Sequence, residues 1–313
     1  MIMKLTPTLF ATALLLSLTL QAEAKKIKLQ YQLKAGQEFS ITSSANQEMA
    51  QEVMGQTTTL FIETSNTYAF KVIEVKADGT FRLSGTMTET ILNSSSTMGM
   101  GDMKFNSTTD KEVPEAVKPM ILTLNEPYLF TLSPAGAISD VLLPEGMQEK
   151  IEKNLTEQQD AAGQIVNASL SAVSTAEGFA KTMGGFFIAL PTEPVQKKDN
   201  WSVESKMEQT IQMTAVTEYT YSGTADGCHN VKWVSQITQT DPAASMEIMG
   251  MNARFELSGA LDGMLKLNEE SCLVEGGESI TSISGVISIE SSELPAPMSI
   301  PMSTKTTIRI TRK

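Results

Sequence analysis

From Phe39 onward the chain is dominated by long stretches in which every second residue belongs on one face of a β-strand. Phe39, Ile41, Ser43, Ala45, Gln47, Met49, Gln51 and Val53 form a first series, with a polar middle. Leu60, Ile62, Thr64, Asn66, Tyr68, Phe70 and Val72 form a second, and Phe81, Leu83, Gly85, Met87, Glu89 and Ile91 a third. Strand side chains alternate between the two faces of a sheet, so a period of two is the signature of half-buried strands. Asp78-Gly79, Asp226-Gly227 and Asp262-Gly263 fall between such series. Each reads as a turn, because Gly accepts positive φ at no steric cost. Ser133-Pro134-Ala135-Gly136 reads as a hairpin turn between Tyr128–Leu132 and Ala137–Leu143, with Pro and Gly in their preferred turn roles.

The alternation is interrupted once. After Pro144, Met147, Ile151 and Leu155 recur at the spacing of one helix face, with Glu149, Lys150, Glu152 and Lys153 on the other. The region 145–189 therefore predicts one or two helices, closing at Gly184-Gly185 and Pro191. Alternation resumes at Trp201, continues through Met207 and Met213, Tyr219 and Tyr221, Val231 to Ile237 and Met249 to Leu257, and ends in a strand from Met298 to Ile310. The fold class is mainly β: a curved antiparallel sheet, or two, in two related halves around a central helical segment. The relation between the halves is loose. Phe39-Ser40-Ile41 parallels Trp201-Ser202-Val203, Tyr68-Ala69-Phe70 parallels Tyr219-Thr220-Tyr221, and Asp78-Gly79 parallels Asp226-Gly227, at unequal spacings. The expected organisation is residues 1–24 as a targeting segment, 25–143 as a first β half, 144–190 as the helical segment and 191–313 as a second β half, or all of the latter as one continuous domain.

The first 24 residues belong to a different regime. Lys4 precedes a mostly apolar stretch, Leu9 to Leu20, and Ala22-Glu23-Ala24 is a small-residue cleavage pattern. The apolar stretch is shorter than a bilayer span. This is the pattern of a signal peptide, and no cysteine stands near the cut to carry a lipid anchor. The expectation is an exported protein, periplasmic or extracellular, with no transmembrane helix after the signal. In an oxidising compartment the chain's two cysteines, Cys228 and Cys272, are expected to form a disulfide; two buried free thiols are the other reading.

Charge and composition exclude several functions. The formal net charge is −12, and the single histidine, His229, leaves no multi-histidine metal centre. An acidic chain without a basic cluster is no candidate for phosphate-backbone binding, so no nucleic-acid partner is expected. None of the local motifs of nucleophile elbows, zinc proteases or phosphate loops is present. Paired carboxylates such as Glu269-Glu270 read as a solvated turn. A non-catalytic protein without cofactor or metal is expected.

Several ordered segments resemble an exported bacterial family of unknown function, DUF6263. They are Leu33-Lys34-Ala35-Gly36-Gln37, Met54-Gly55-Gln56, Tyr68 to Val75 running into Asp78-Gly79, Phe130 to Gly136, and Leu190-Pro191 through to Trp201. The family's Gly before the Asp-x-Trp step is absent, since Lys198-Asp199-Asn200-Trp201 begins with Lys. These motifs are turns and strand starts, so the resemblance implies a scaffold and no enzyme activity. A looser architectural likeness is to lipoprotein-carrier folds, in which a curved antiparallel sheet wraps a helix-plugged apolar cavity.

Methionine is the compositional outlier, at 19 residues. Flexible thioethers fill irregular cores, and they also suit adaptable apolar binding faces. A third reading is Cu(I) ligation at Met98-x-Met100 or Met249-x-Met251. The favoured function is capture of an apolar small molecule or lipid on the concave face of a curled sheet. Met49, Met54, Met87, Met249, Met251 and Phe255 are the candidate lining, and Met147, Ile151, Leu155 and Phe186-Phe187 the candidate plug. The alternative is an envelope scaffold that binds a protein partner and has a packed interior.

Overall fold

The structure is a computed structural model. It describes residues 26–313 except 54, 100–101, 119, 158–174, 209–211, 242–244, 249–250 and 291–297. The targeting segment, Met54 and Met249 thus lie outside the described residues. So does the side chain of Leu155.

The elements in chain order are β1 (Glu38–Val53), β2 (Gln56–Val75), β3 (Phe81–Ser96), β4 (Met103–Asn106), β5 (Pro127–Leu132), β6 (Ile138–Leu142), α1 (Met147–Glu157), α2 (Ala176–Gly184), β7 (Asn200–Glu208), β8 (Gln212–Ala225), β9 (Cys228–Gln239), β10 (Ser245–Ile248), β11 (Met251–Asn268), β12 (Val274–Glu290) and β13 (Met298–Arg312). All thirteen strands join one open antiparallel sheet, ordered β6-β5-β3-β2-β1-β13-β12-β11-β9-β8-β7, with β4 added to β3 and β10 to β11. The protein is mainly β, and its two halves share one sheet. The C-terminal strand β13 sits between β1 and β12, so it is the seam that joins them. Pro301 falls beyond Met302, the last residue of β13 that β1 pairs, where a strand tolerates a missing N–H.

Turn chemistry sets the hairpins. Gly55 (φ 77°) turns β1 into β2. Asp78 accepts from the backbone N–H of Thr80 at 3.0 Å, and Gly79 (φ 83°) completes the turn before β3. Asp226 and Gly227 both have positive φ, the conformation of a tight two-residue hairpin, between β8 and β9. Asp262-Gly263, expected as a turn, instead lies inside the 18-residue strand β11. There Gly263 makes room for a neighbouring ring, as described below.

Alternation carries through the pairing. On β1 and β2 the cross-strand pairs Phe39–Phe70 and Ile41–Tyr68 point to one face, and Glu38–Lys71 to the other. The inner face is apolar toward one end of the sheet. There Phe39, Ile41, Phe70, Val72, Leu83 and Phe130 from one half and Tyr221, Val231, Leu265 and Leu267 from the other join one core. Strands from both ends of the sheet reach the same core only if the sheet curls around it. Bulges at Thr67/Tyr68, Val72/Glu74, Tyr221/Gly223 and Lys266/Leu267 lie toward this end and supply local bend and twist.

The core is closed by irregular chain. Residues Leu29, Tyr31 and Leu33 cross it before β1, and Phe186 to Leu190 cross it after α2. The Ser133–Gly136 turn docks onto both. Tyr31 N–H donates to Pro134 O at 2.8 Å and Leu190 N–H to Ala135 O at 2.9 Å. Helix α1 sits apart: Met147 and Ile151 pack with Leu122 in a separate small cluster.

The expected disulfide is corrected: Cys228 and Cys272 are free thiols. On β9, His229 and Val231 face inward and are buried, so Cys228 belongs to the outer set with exposed Lys232 and Val234. Cys272 lies in the loop after β11, inside the main core with Leu273 and Val274. The two sulfurs are thus directed to opposite sides of the sheet.

Candidate functional site

Helix α2 opens with Thr175, whose hydroxyl accepts from Gly178 N–H at 3.0 Å, the geometry of an N-cap. Phe179 and Met183, four apart, form its buried stripe, while Glu177 and Lys181 pair on the other side at 2.8 Å. Phe179 stacks on Tyr128 with ring centres 4.5 Å apart. The chain then turns at Gly184-Gly185 and drives Phe186 and Phe187 into the aromatic centre formed by Phe39, Tyr68, Phe70 and Phe130. Two hydrogen bonds fix the segment that follows. Tyr31 Oη donates to Ile188 O at 3.3 Å, and Trp201 Nε1 donates to Ala189 O at 3.0 Å. The plug is therefore a bolted floor across the curl of the sheet.

Above that floor lies a cavity of about 510 Å3 that spans both halves of the sheet. Its base is Thr182, Gly185, Phe186 and Ile188. One wall is Ser43 of β1 with Asn66 and Tyr68 of β2; the opposite wall is Ala215 and Tyr219 of β8 with Trp233, Ser235 and Ile237 of β9. Between them stand Leu261 and Leu265 of β11, Ser279 of β12 and Ile308 and Ile310 of β13. Cross-strand pairing explains the wall. Ile308, Ser279, Gly263, Trp233, Tyr219 and Trp201 are successive partners across six strands, and so form one row of the inner face. Within it Trp201 stacks on Tyr219 at 5.3 Å, and Tyr219 lies 6.3 Å from Trp233. Burial pushes the Tyr68 phenol up to about 12, so it stays neutral. Tyr128 is also raised to about 12, first by burial and then by its electrostatic coupling to Tyr68 and Glu126, and its hydroxyl has no hydrogen-bond partner.

The residues singled out from sequence fall around this cavity. Met49 shares the inner-face row that ends in Ile237 and Ala215, but on the far side of it. Phe255 packs with Ala215 and Ile237 in a second buried cluster that extends the cavity wall, and Met251 lies at the far end of the same strand. Met87 is buried on β3 beside Tyr68. None of these four is among the described residues that line the cavity. Phe186 of the expected plug does line it. Other described methionines are spread across the molecule: Met183 in the main core, Met213 and Met302 at the second cluster, Met103 beside Phe105, Met147 with Leu122, and Met98 exposed with its sulfur accepting from Thr58. The lining aromatics, Tyr68, Tyr219 and Trp233, were visible as members of alternating series, but only register brings them to one place.

The outer face offers a second groove, of about 550 Å3, where Asn46, Glu48, Phe61, Glu63, Lys104 and Lys305 meet. It is open and charged. His229, the lone imidazole, is buried on the inner face of β9; its Nδ1 lies 3.2 Å from both the Tyr221 and Thr224 hydroxyls. Burial holds its pKa below the usual value, against the opposing influence of Glu269. Among the described residues no group of three His, Cys, Asp or Glu side chains is placed to hold a metal. No described helix is long and apolar enough to cross a membrane.

Fold and cavity together define a class: an open antiparallel sheet curled over a helix-floored, aromatic-walled chamber. The chain belongs to the family described as "Family of unknown function (DUF6263)", whose model matches residues 78–274. No curated protein matches it. Among solved structures it is similar to the lipovitellin of "Lipid-protein interactions in lipovitellin", with TM-score 0.45, 10% identity and 90% of this chain covered. This chain spans only 25% of that one. It is also similar to the COG4313 outer membrane channel from Pseudomonas putida F1, with TM-score 0.24, 8% identity, and 90% and 97% of the two chains covered. A third likeness is to a DUF1329 family protein from Desulfovibrio piger ATCC 29098, with TM-score 0.15, 10% identity, and 86% and 83% covered. These scores are too low for any of the three to speak to what this chain binds.

Proposed function

We propose that this is an exported, non-catalytic protein of the cell envelope that holds an apolar small molecule or lipid in the chamber between α2 and the concave sheet. The observation that carries the reading is the chamber itself. Its volume of about 510 Å3 lies within the range of small-molecule pockets, roughly 300–1,000 Å3. Its walls are largely aromatic and aliphatic, which suits removal of apolar ligand surface from water. The floor is anchored by backbone and ring contacts, so a site there is preorganised, which lowers the entropic cost of binding. Export rests on the N-terminal targeting pattern, with a periplasmic or extracellular destination.

The test has two arms. Purified protein is extracted with solvent and the extract is analysed for lipids by mass spectrometry. In parallel, N-phenyl-1-naphthylamine, an uncharged apolar probe, is titrated against the protein and against Ser43→Phe, which places a ring in the chamber from β1. Saturable binding that the variant weakens at least fivefold is expected. No co-purified lipid and no saturable probe signal would instead favour an envelope scaffold that binds a protein partner.

A further inference from the structure

The chamber's polar atoms restrict what a ligand's head group can be. Ser43 and Asn66 are direct cross-strand partners on the inner face, and Ser279 faces the same space from β12. The hydroxyls of Ser43 and Ser279 have no hydrogen-bond partner among the described residues, although Ser279 is only 9% exposed. Asn66 uses its carbonyl oxygen, which accepts from Thr90 Oγ1 at 2.6 Å, and leaves its amide N–H groups free. Thr217 and Ser235, on the opposite wall, satisfy each other at 2.6 Å. Open hydrogen-bonding capacity therefore lies on both walls, with Ser43, Asn66 and Ser279 on one and the Tyr219 phenol and Trp233 indole N–H on the other. These atoms open onto the cavity, where an occupant with hydroxyls can take the place of water as their hydrogen-bond partner.

The same space lacks a free countercharge. Two charged residues border the cavity among the described residues, and each is engaged: Lys181 with Glu177 at 2.8 Å and Glu278 with Arg309 at 2.6 Å. Drawing a carboxylate or phosphate into this space would desolvate a charge without pairing it, which costs far more than burying a hydroxyl that is hydrogen-bonded.

We infer that the chamber selects neutral amphiphiles: an apolar chain or ring system ending in an uncharged, hydroxyl-bearing head group, such as a monoacylglycerol or a long-chain alcohol. Fatty acids and phospholipids are discriminated against. This rests on the chamber being a binding site. The test displaces bound N-phenyl-1-naphthylamine at about pH 8, where a free carboxyl is ionised, with 1-monolauroylglycerol, laurate or dodecyl phosphate, which present one chain length with three heads. The uncharged lipid should compete at least tenfold better than either anion. Ser279→Ala should weaken the monoacylglycerol several-fold more than it weakens the probe, which has no hydroxyl to lose a partner. Saturable probe binding with equal or better competition by an anion, or with no competition by any of the three, overturns this inference and leaves the chamber's role standing. Absence of saturable probe binding overturns both.

Discussion

The indole of Trp233 lies across Gly263 on the neighbouring strand so closely that a Cβ at that glycine would come within 2.5 Å of the ring. The two are direct partners in the β9–β11 pairing. A glycine inside a strand weakens it unless something uses the missing side chain, and here the ring uses it. The tryptophan thereby packs directly against the backbone of the neighbouring strand. Gly263→Val should lift Trp233 into the cavity. Overpacking of this kind costs about 1–3 kcal/mol. We expect a changed near-ultraviolet aromatic dichroism signal and at least a fivefold loss of probe affinity; wild-type values for both would show that the ring does not need the space.

Gly136 tests how the turn is locked to the floor. Its φ is 91°, and an added Cβ would lie 2.2 Å from the Ile188 carbonyl oxygen. Gly55 has a similar φ of 77° with nothing within 4 Å. Gly55→Ala should lose only the left-handed backbone preference, about 1–2 kcal/mol. Gly136→Ala adds a clash with backbone that two hydrogen bonds hold, so it should lose at least about 2 kcal/mol more than that. Urea unfolding of the two variants measures the difference. Equal losses would mean that the Ile188 segment moves freely.

The single histidine makes pH dependence simple to follow. His229 is buried beside Tyr221 and Thr224, and burial favours its neutral form. In the unfolded chain the imidazole titrates near about 6.5. As pH falls, the unfolded state takes the proton first. The stability that neutral His229 contributes is thus complete above the unfolded value and is lost as pH drops through the lower folded value. One imidazole resonance should titrate below about 6.5 in the folded protein. His229→Gln should flatten the stability profile across that interval. A folded value above the unfolded one would reverse the sign and refute the assignment.

Much of the fold was legible because alternation is a local property. The series from Phe39, Leu60 and Phe81 became β1, β2 and β3, and the series ending at Ile310 became β13 at the seam of the sheet. The chamber was not legible in the same way. Tyr68 and Tyr219 hold matching places in the two loosely related halves, yet they meet across one cavity only because β13 joins those halves. Methionine-rich segments drew the eye to Met49, Met251 and Phe255, which stand in the flanks of the same inner face. Asp262-Gly263 misled for a clear reason: the dipeptide has the chemistry of a turn, and only the register against Trp233 reveals the glycine's other use. Those placements depend on pairings between residues distant in sequence, which no local pattern contains.

The cysteines fail to meet for a related reason, and this gives the most direct test of the sheet's geometry. Cys228 belongs to the outward set of β9, one step from buried His229, while Cys272 is 3% exposed in the core and has a backbone hydrogen bond with Gln30. Burial is the first cause that raises both thiols, so neither is poised as a reactive thiolate. Protein denatured without reductant should release two titratable thiols per chain. In the native state at about pH 8, near the ordinary cysteine pKa, Cys228 should react slowly and Cys272 not at all. Cys272→Ser should leave native labelling unchanged, and Cys228→Ser should abolish it. Denatured protein with no free thiol would mean that the two sulfurs reach each other. In that case the Leu267–Val274 turn could not sit in the core as described.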